Sequence, residues 1–256
     1  MLAQIPHPII IAHRGASAHA PENTLAAFEL ALRQGADAIE LDAKLSKDKQ
    51  VVVIHDQSVE RTTEGKGYVN EWTLAELRKL DAGSHFDIAF QGEPIPTLDE
   101  VFKAVGQLTF INIELTNYRS PYDQLPERVA SLVRRHKLSR RVLFSSFNFL
   151  ALIRIRQLIP EAPIGLLAPA GWRGLLVRSW VGRLVNYQCL HPDFTDVNAR
   201  LIDTAHSKGQ CILAYTVNLE EDMRRLFQIG VDGIFTDDPA LARQTLVEIS
   251  RSKSII

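Results

Sequence analysis

The sequence predicts an α/β fold, a TIM (β/α)8 barrel with a small insertion after the second strand. Strand-like apolar runs alternate with helical patterns, and there are eight of each once a hairpin strand is set aside. Titratable residues collect where the first predicted strands end, which is where barrel enzymes carry their sites. The length of 256 residues suits one such barrel. We therefore expect a single domain over residues 1–256, with a hairpin and insertion at 44–97.

The strands are predicted from short apolar runs bounded by turn residues, and the helices from an apolar period of 3.6. The eight strands are expected at residues 9–12, 38–42, 110–115, 142–145, 164–167, 189–191, 211–217 and 233–236. The eight helices are expected at residues 24–33, 99–105, 123–136, 147–158, 172–185, 199–207, 220–228 and 239–250. Asn23 or Thr24 can cap the first helix, and Gly35 suits its end.

The insertion begins with a hairpin. Residues 51–54 read as a strand, but the polar turn at 46–50 is too short for a parallel crossover. Residues 56–97 are rich in glycine and proline, with one short helical turn near 74–80. We expect this segment to have little core of its own.

Composition excludes several classes of function. The net charge of −1 gives no basic field for nucleic acid, so an anionic ligand would need a local site. Cys189 and Cys211 are the only cysteines and form no CxxC pair. This disfavours a thiolate zinc site and is consistent with a reducing, cytoplasmic location. The first eleven residues lack a basic region and a small-residue cleavage site, and their apolar run is too short to span a bilayer.

A basic amphipathic stretch at residues 166–190 carries Trp172, Trp180 and three arginines. Such a helix can lie on a membrane surface. We favour the alternative that its apolar stripe packs on the barrel, so membrane contact is not expected.

Three carboxylates follow two predicted strands. Glu40 and Asp42 alternate along one strand and so point to the same face, and Glu114 lies near the end of the next barrel strand. Neighbouring buried carboxylates repel each other, and a bound cation relieves this. Oxygen ligands suit Mg²⁺ or Ca²⁺, whereas Zn²⁺ would also need His13 or His55. The alternatives are a solvated strand end or an acidic cluster paired with Arg14.

Two histidines and one arginine complete the candidate site. His13 follows the first strand and His55 follows the hairpin strand, and both could act as acid and base near neutral pH. Arg14 could hold an anionic oxygen or pair with the acids. Glu22 and Asn23 open the first helix and could either support the site residues or cap the helix, and for Asn23 we favour capping. A hard cation, two histidines and an arginine suit phosphoryl chemistry. Without a glycine-rich nucleotide loop, a phosphodiester is the better substrate class.

The sequence resembles the glycerophosphodiester phosphodiesterase family along nearly its whole length. Twelve short motifs match in order, and so many in sequence are far more specific than any one alone. They are His13-Arg14-Gly15, Pro21-Glu22-Asn23-Thr24, Glu40-Leu41-Asp42, His55-Asp56, Arg61-Thr62-Thr63-x-Gly65-x-Gly67, Leu80-Asp81-Ala82-Gly83, Ile95-Pro96-Thr97-Leu98-x-Glu100, Asn112-Ile113-Glu114, Ser145-Ser146-Phe147, Leu190-His191-Pro192, Thr216-Val217-Asn218 and Gly233-Ile234-Phe235-Thr236-Asp237-x-Pro239.

The resemblance implies a TIM barrel with a small insertion that hydrolyses a glycerophosphodiester to an alcohol and sn-glycerol 3-phosphate. It implies one divalent cation on Glu40, Asp42 and Glu114. His13 and His55 would be the acid–base pair, and Arg14 would contact the phosphate. It is also compatible with attack by a free glycerol hydroxyl, giving a cyclic phosphate that water then opens.

Two positions depart from the family pattern. Thr116 stands where the family commonly has lysine, so it can donate a hydrogen bond to the substrate but brings no charge. Tyr215 precedes Thr-Val-Asn where the family often has tryptophan, which narrows an aromatic wall. We expect both to affect substrate preference and rate more than the reaction class.

Two other functions stay open at this point. A lysophospholipase D-like enzyme would need an apolar groove, for which Phe86, Ile88 and Phe90 or the Trp172–Trp180 stretch are candidates. A catalytically silent barrel could bind phosphodiesters or a partner protein, and Thr116 is the feature that favours it.

Overall fold

A computed structural model describes residues 7–253, except for the side chains of residues 180, 181, 183, 252 and 253. Eight parallel strands close into a barrel, because β1 pairs with β2 on one side and with β9 on the other. The ninth strand, β3, extends the sheet as an antiparallel partner of β2. The strands are β1 (Ile9–Ala12), β2 (Ala38–Leu45), β3 (Val51–Val53), β4 (Phe110–Leu115), β5 (Val142–Ser146), β6 (Ile164–Ala168), β7 (Cys189–Pro192), β8 (Cys211–Ala214) and β9 (Gly233–Thr236). The predicted barrel and its hairpin are confirmed.

Helices follow the strands as predicted, with one change. The predicted helix at 172–185 is two short α-helices joined by a π-helical turn, Val177–Val181. Short 3₁₀ turns occur at Val69–Glu71, Ile88–Phe90 and Phe194–Asp196. The helices are α1 (Leu25–Arg33), α2 (Leu74–Leu77), α3 (Leu98–Val105), α4 (Leu125–Arg135), α5 (Phe149–Leu158), α6 (Gly171–Leu176), α7 (Gly182–Val185), α8 (Ala199–His206), α9 (Glu220–Gln228) and α10 (Pro239–Lys253).

Strand alternation divides the apolar side chains into two layers. On β2, Ile39 and Leu41 face outward and join the large cluster between strands and helices. Inside the barrel, a smaller cluster that includes Ile11, Leu143 and Leu213 fills the interior. Polar side chains towards the carboxyl ends of the strands therefore rest on an apolar plug, which limits water access from below.

The insertion has a core of its own, so the expectation that it has little core is wrong. Eight buried apolar residues form one cluster there, namely Val52, Ile54, Val59, Val69, Leu77, Leu80, Ala82 and Ile95. They are scattered among glycines and prolines in the sequence, so no periodic pattern shows them. The strand β3 brings them together by carrying Val52 into the cluster.

The stretch after β6 packs less than expected. Gly174, Val185 and Tyr187 are buried, but Trp172, Leu175 and Leu184 are largely exposed. The expectation that the apolar stripe packs on the barrel therefore holds only in part. Across residues 7–253, no helix combines the length and apolar character needed to cross a membrane.

Candidate active site

The three predicted carboxylates meet at the carboxyl ends of β2 and β4. Asp42 pairs in register with Glu114, and one carboxylate oxygen from each of Glu40, Asp42 and Glu114 lies within 4.8 Å of the others. Glu40 and Asp42 are 2% and 1% exposed, so the alternative of a solvated strand end is wrong. These three side chains form a group that could hold a metal ion.

The electrostatics of this group fit a hard cation. Burial, together with repulsion from Asp42 and Glu114, raises the pKa of Glu40 well above its usual value. Burial and the charge of Asp42 raise the pKa of Glu114 to about 7. Oε1 of Glu40 is buried and has no hydrogen-bond partner among the described residues. An all-oxygen donor set with an orphaned carboxylate oxygen is what Mg²⁺ or Ca²⁺ would complete.

The loop after β1 supports two of the acids. The backbone N–H of Arg14 donates to Glu40 Oε2 at 2.8 Å, and Arg14 Nε lies 3.4 Å from Asp42 Oδ2. Both predicted roles of Arg14 therefore remain compatible: it pairs with the acids and still lines the cavity described below.

Asn23 fixes Asp42 rather than capping α1, so the favoured capping role is wrong. Its Nδ2 donates to Asp42 Oδ2 at 2.8 Å, and its Oδ1 accepts from the Asp42 backbone N–H at 3.2 Å. Thr24 is the cap, because its hydroxyl accepts from Ala27 N. The left-handed backbone of Asn23, at φ 58°, turns its side chain away from the helix. Gly35 follows α1 at φ 82°, as predicted.

His13 is oriented by a carboxylate on the last strand's loop. Its Nδ1 lies 2.7 Å from Asp237 Oδ1. Ser17 Oγ donates to the same oxygen at 3.0 Å, and Asn218 Nδ2 donates to Asp237 Oδ2 at 2.6 Å. Burial opposes ionisation of Asp237, but the partners His13, Asn218 and Ser17 lower its pKa overall. The ring is thus held by an ionised, fixed carboxylate.

His55 has an equivalent partner, and a chain of ion pairs connects it to Arg14. Its Nδ1 lies 2.6 Å from Asp56 Oδ1, and Arg61 Nε donates to Asp56 Oδ2 at 2.6 Å. Glu22 accepts from Arg61 at 2.7 Å and from Arg14 Nη1 at 3.0 Å. Chiefly through its hydrogen bond from Arg61, the pKa of Asp56 falls to about 2.

One cavity of about 210 Å³ gathers six of the eight predicted site residues. They are His13, Arg14, Glu40, His55, Glu114 and Tyr215. Asn112, Ser145, Phe147, Leu167, His191, Thr216 and Phe235 complete the lining. Asp42, which pairs in register with Glu114, is not part of this lining, and Thr116 lines a different, smaller cavity. A larger cavity of about 340 Å³ has Leu175, Leu201 and Lys208 in its wall. Within residues 7–253 none of the predicted site residues lines it, so we place the site in the smaller cavity.

Comparison with known families decides the identity of the chain. The model of the glycerophosphoryl diester phosphodiesterase family matches residues 13–241, from the first candidate histidine into the last helix. The chain belongs to this family. The resemblance noted in the sequence is confirmed, and with it the assignment to an enzyme class, the glycerophosphodiester phosphodiesterases.

Similar proteins support the assignment along the whole phosphodiesterase chain. It is 42% identical over 245 residues to a glycerophosphodiester phosphodiesterase of Caldanaerobacter subterraneus subsp. tengcongensis, covering 95% of this chain and 98% of that one. The structure of an Oleispira antarctica phosphodiesterase in complex with the product sn-glycerol-3-phosphate has a TM-score of 0.87. That protein is 33% identical, and the match covers 95% of this chain and 98% of the other. A glycerophosphodiester phosphodiesterase from Agrobacterium tumefaciens gives 0.79 at 31% identity, over 91% and 98% of the two chains.

Several site residues of this phosphodiesterase were missed in the sequence. Asp237 and Arg61 stand in quoted motifs, but only the fold shows that Asp237 orients His13 and that Arg61 fixes Asp56, the partner of His55. The rule that loops after barrel strands carry the chemistry could have found Asp237, which directly follows β9.

An aromatic wall beside the acids was also only partly foreseen. The rings of Tyr118 and Phe147 lie 6.0 Å apart, and those of Phe147 and Tyr215 lie 6.3 Å apart, each edge-on. The Tyr118 hydroxyl donates to Glu114 Oε1. Phe147 therefore lines the cavity beside Tyr215, and Tyr118 packs against Phe147 while it contacts Glu114.

Thr116 lies outside the cavity and contacts a buried lysine. Its hydroxyl donates to Ala43 O at 2.8 Å and accepts from Lys44 Nζ at 2.8 Å, and its carbonyl accepts from the same ammonium at 3.0 Å. Lys44 is 5% exposed, and burial lowers its pKa to about 8 despite the attraction of Asp42 and Glu114. A role for Thr116 in substrate binding stays a prediction. The side chain that it contacts directly is the Lys44 ammonium on β2.

Thr116→Val should lower the free energy of unfolding by about 1–3 kcal/mol, since it removes two buried hydrogen bonds, one of them from a charged ammonium. Lys44 would lose the hydroxyl acceptor but keep the Thr116 carbonyl, and Ala43 O would lose the hydroxyl donor but keep the Thr116 backbone N–H. Urea unfolding monitored by circular dichroism measures the change. Thr116→Ser keeps the hydroxyl and is the matched control. Equal stability of Thr116→Val and the unmodified protein would show that Lys44 is solvated some other way.

Proposed function

We propose that this phosphodiesterase hydrolyses water-soluble glycerophosphodiesters to an alcohol and sn-glycerol 3-phosphate. One divalent cation, Mg²⁺ or Ca²⁺, would be held by Glu40, Asp42 and Glu114. The observation that carries the proposal is that two imidazoles, each anchored by a carboxylate, line the same cavity as Glu40 and Glu114. The product bound to the Oleispira antarctica relative supports the identity of the product here.

Arg14 and the cation held by the three carboxylates would each stabilise part of the negative charge on the phosphate. A divalent cation, when bound, offsets the negative charge that develops on the phosphate oxygens and polarises phosphorus. Arg14, whose guanidinium is anchored by Glu22 at 3.0 Å, would hold a phosphate oxygen by charge-assisted hydrogen bonds. Because Glu22 is itself fixed by Arg61, little reorganisation is needed when the substrate binds.

The two histidines move the protons. Nδ1 of each ring faces a carboxylate, so it carries a proton and Nε2 is left for the substrate. Nε2 of one ring takes the proton of the attacking hydroxyl as its oxygen bonds to phosphorus. Nε2 of the other, protonated ring gives its proton to the alcohol oxygen as the bond from phosphorus to that oxygen breaks. If a glycerol hydroxyl attacks first, water opens the cyclic phosphate with the two roles exchanged.

A lipid phosphodiesterase is the second candidate, and one observation favours it. Trp172, Leu175 and Leu176 stand exposed on α6, which begins shortly after the carboxyl end of β6. An acyl chain would cover this apolar surface. We prefer the water-soluble substrates because no acyl chain is needed to fill a cavity of about 210 Å³ that is already lined by Phe147, Tyr215 and Phe235.

The purified protein is expected to release glycerol 3-phosphate from glycerophosphocholine or glycerophosphoethanolamine, and EDTA should abolish the release. Glycerol-3-phosphate dehydrogenase coupled to NADH formation measures it, and excess Mg²⁺ or Ca²⁺ after EDTA should restore it. Choline release from glycerophosphocholine and from lysophosphatidylcholine, the latter below its critical micelle concentration, separates the candidates. A clear preference for the lysolipid would favour the lipid enzyme. Binding of glycerophosphocholine with metal but without turnover would show a silent barrel.

The remaining expectations concern the surroundings of the protein. We propose a cytoplasmic location, for which the two free thiols, Cys189 and Cys211, are the support. The partner would be a small glycerophosphodiester, with no nucleic acid and no membrane contact.

A further inference from the structure

The cavity is also lined by buried neutral side chains that the proposed reaction does not use. His191 on β7 is 0% exposed and lines the cavity, and neither ring nitrogen has a hydrogen-bond partner among the described residues. Asn112 on β4 is 3% exposed, and within residues 7–253 its Oδ1 is likewise without a partner. Its Nδ2 donates to Ser145 Oγ at 2.9 Å.

These two residues line the cavity together with Glu40, Glu114 and the aromatic rings, and Asn112 pairs in register with Glu40. Side chains two residues apart on a strand share a face, so Asn112 lies one inward position before Glu114. His191 lies one inward position before Asp193, which bridges to Tyr215 across the strands. Because Arg14, His191 and Asn112 line one cavity, a ligand whose phosphate meets Arg14 would have His191 and Asn112 within reach of its other groups.

The fold makes specific room for the imidazole. A Cβ at Gly165, on the neighbouring strand β6, would lie 2.3 Å from Cε1 and 2.4 Å from Nε2 of His191. Only glycine leaves space for the ring there, although glycine weakens a strand. The Phe235 ring, with its centroid 5.0 Å from that of His191, covers another side. The ring is thus held firmly while its nitrogens are left unpaired.

The chemistry of this set selects a neutral hydroxyl-bearing group. Burial lowers the pKa of His191 to about 3, so the ring is neutral and offers one donor and one acceptor. Asn112 Oδ1 offers a second acceptor. Neither His191 nor Asn112 carries the positive charge that holds a phosphate or the carboxylate that a hard cation prefers. An alcohol hydroxyl both donates and accepts, and it matches the two residues.

We propose that His191 and Asn112 bind the terminal hydroxyl of the glyceryl group and select for glycerol esters. The inference rests on the proposed function and adds to it the group that distinguishes the substrate. Buried polar groups that stay unpaired with the wrong ligand give strong discrimination, because their desolvation is then uncompensated. The hydroxyl nearer phosphorus is left free for the chemistry.

The test compares two substrates that differ by one hydroxyl. Glycerophosphocholine carries both hydroxyls, and 2-hydroxypropyl phosphocholine lacks only the terminal one. The unmodified protein, loaded with Mg²⁺ or Ca²⁺, should prefer the first by about 10–100-fold in kcat/KM. In His191→Phe the preference should fall to within about threefold, because the loss falls mainly on glycerophosphocholine. Choline release measures both reactions.

Controls separate this role from a structural one. His136→Phe removes an imidazole that bonds Asp99 on the outside of the barrel, and it should keep the full preference. His191→Asn retains a donor and an acceptor, and part of the preference should return. Calorimetric binding of glycerol 3-phosphate and of 2-hydroxypropyl phosphate to the unmodified protein gives the same comparison, should His191→Phe fail to fold.

Each outcome decides the proposal. Equal turnover of both substrates by the unmodified protein would overturn the subsite and leave the proposed function standing. Equal losses on both substrates in folded His191→Phe would show that the ring acts only structurally. If the unmodified protein hydrolysed neither substrate, the proposed function would fail, and the subsite would fail with it.

Discussion

Replacing His55 by alanine is expected to lower kcat by about 10²–10⁴-fold, and His13→Ala by a similar factor. In each ring Nδ1 is engaged by Asp56 or Asp237, which leaves Nε2 to transfer a proton. Steady-state kinetics with glycerophosphocholine at saturating Mg²⁺ or Ca²⁺ measure the loss. Since the two rings act in one reaction, the double variant should lose far less than the product of the two factors.

The same variants can assign the two roles. A p-nitrophenyl ester of glycerol phosphate has a leaving group that departs without a proton. The variant that lacks the general acid should therefore recover much of its activity on this ester, whereas the variant that lacks the base should not. His136→Ala, on the outside of the barrel, is the matched control and should keep normal rates. Near-normal kcat in either His13→Ala or His55→Ala would remove that ring from the mechanism.

The barrel could be predicted because its signals are local. Each strand is a run of a few apolar residues followed by a turn, and β2 shows its inward face directly through Glu40 and Asp42. The rule that barrel sites lie at the carboxyl ends of strands then brings residues from β1, β2 and β4 together without any knowledge of distances. This is why three acids and two histidines could be placed correctly relative to the fold.

Contacts that depend on the third dimension could not be predicted. His13 and Asp237 are 224 residues apart in the chain and meet only because β1 pairs with β9. Asn23 is of a residue type that commonly caps helices, but its left-handed backbone directs its side chain to Asp42 instead. Single-residue propensity carries no information about such a choice.

Gly165 is another residue whose role could not be predicted from the sequence. In the sequence it is a weak strand residue, and nothing links it to a histidine on the next strand. In the fold its missing side chain is the space that His191 fills. The functional signal lies in the pair rather than in either residue, so it appears only when β6 and β7 are placed side by side.

We expect the three buried carboxylates to lower the stability of the metal-free protein, because they repel each other until a cation binds. In metal-free protein the pKa of Glu114 is raised by burial and by Asp42 to about 7, from 4.5 for a free side chain. Between these values the folded state holds a proton that the unfolded state has lost. Stability should therefore fall as the pH rises from 4.5 to 7, and the penalty is complete above 7.

Glu114→Gln is therefore expected to stabilise the metal-free protein at pH 8 by up to about 3 kcal/mol, at about 1.4 kcal/mol per pKa unit. At pH 4 the difference should vanish, because Glu114 is then protonated in both states. The Gln carbonyl can still accept the Tyr118 hydroxyl, so that contact is kept. Denaturant unfolding with EDTA at the two pH values measures the effect. Glu29→Gln, at an exposed position on α1, should change little at either pH.

The same substitution should remove the benefit of metal. In the unmodified protein Mg²⁺ or Ca²⁺ should raise the melting temperature more at pH 8 than at pH 5, because protons compete with the cation for the carboxylates. In Glu114→Gln the metal-induced shift and the turnover should both be lost. Without metal, this variant would be more stable than the unmodified protein, and with metal it would be inactive. That combination would indicate that the carboxylates, although they repel each other, are kept because they bind the cation. If Glu114→Gln kept the metal-induced shift, Glu40 and Asp42 would have to bind the ion without β4, and the proposed three-carboxylate site would be wrong.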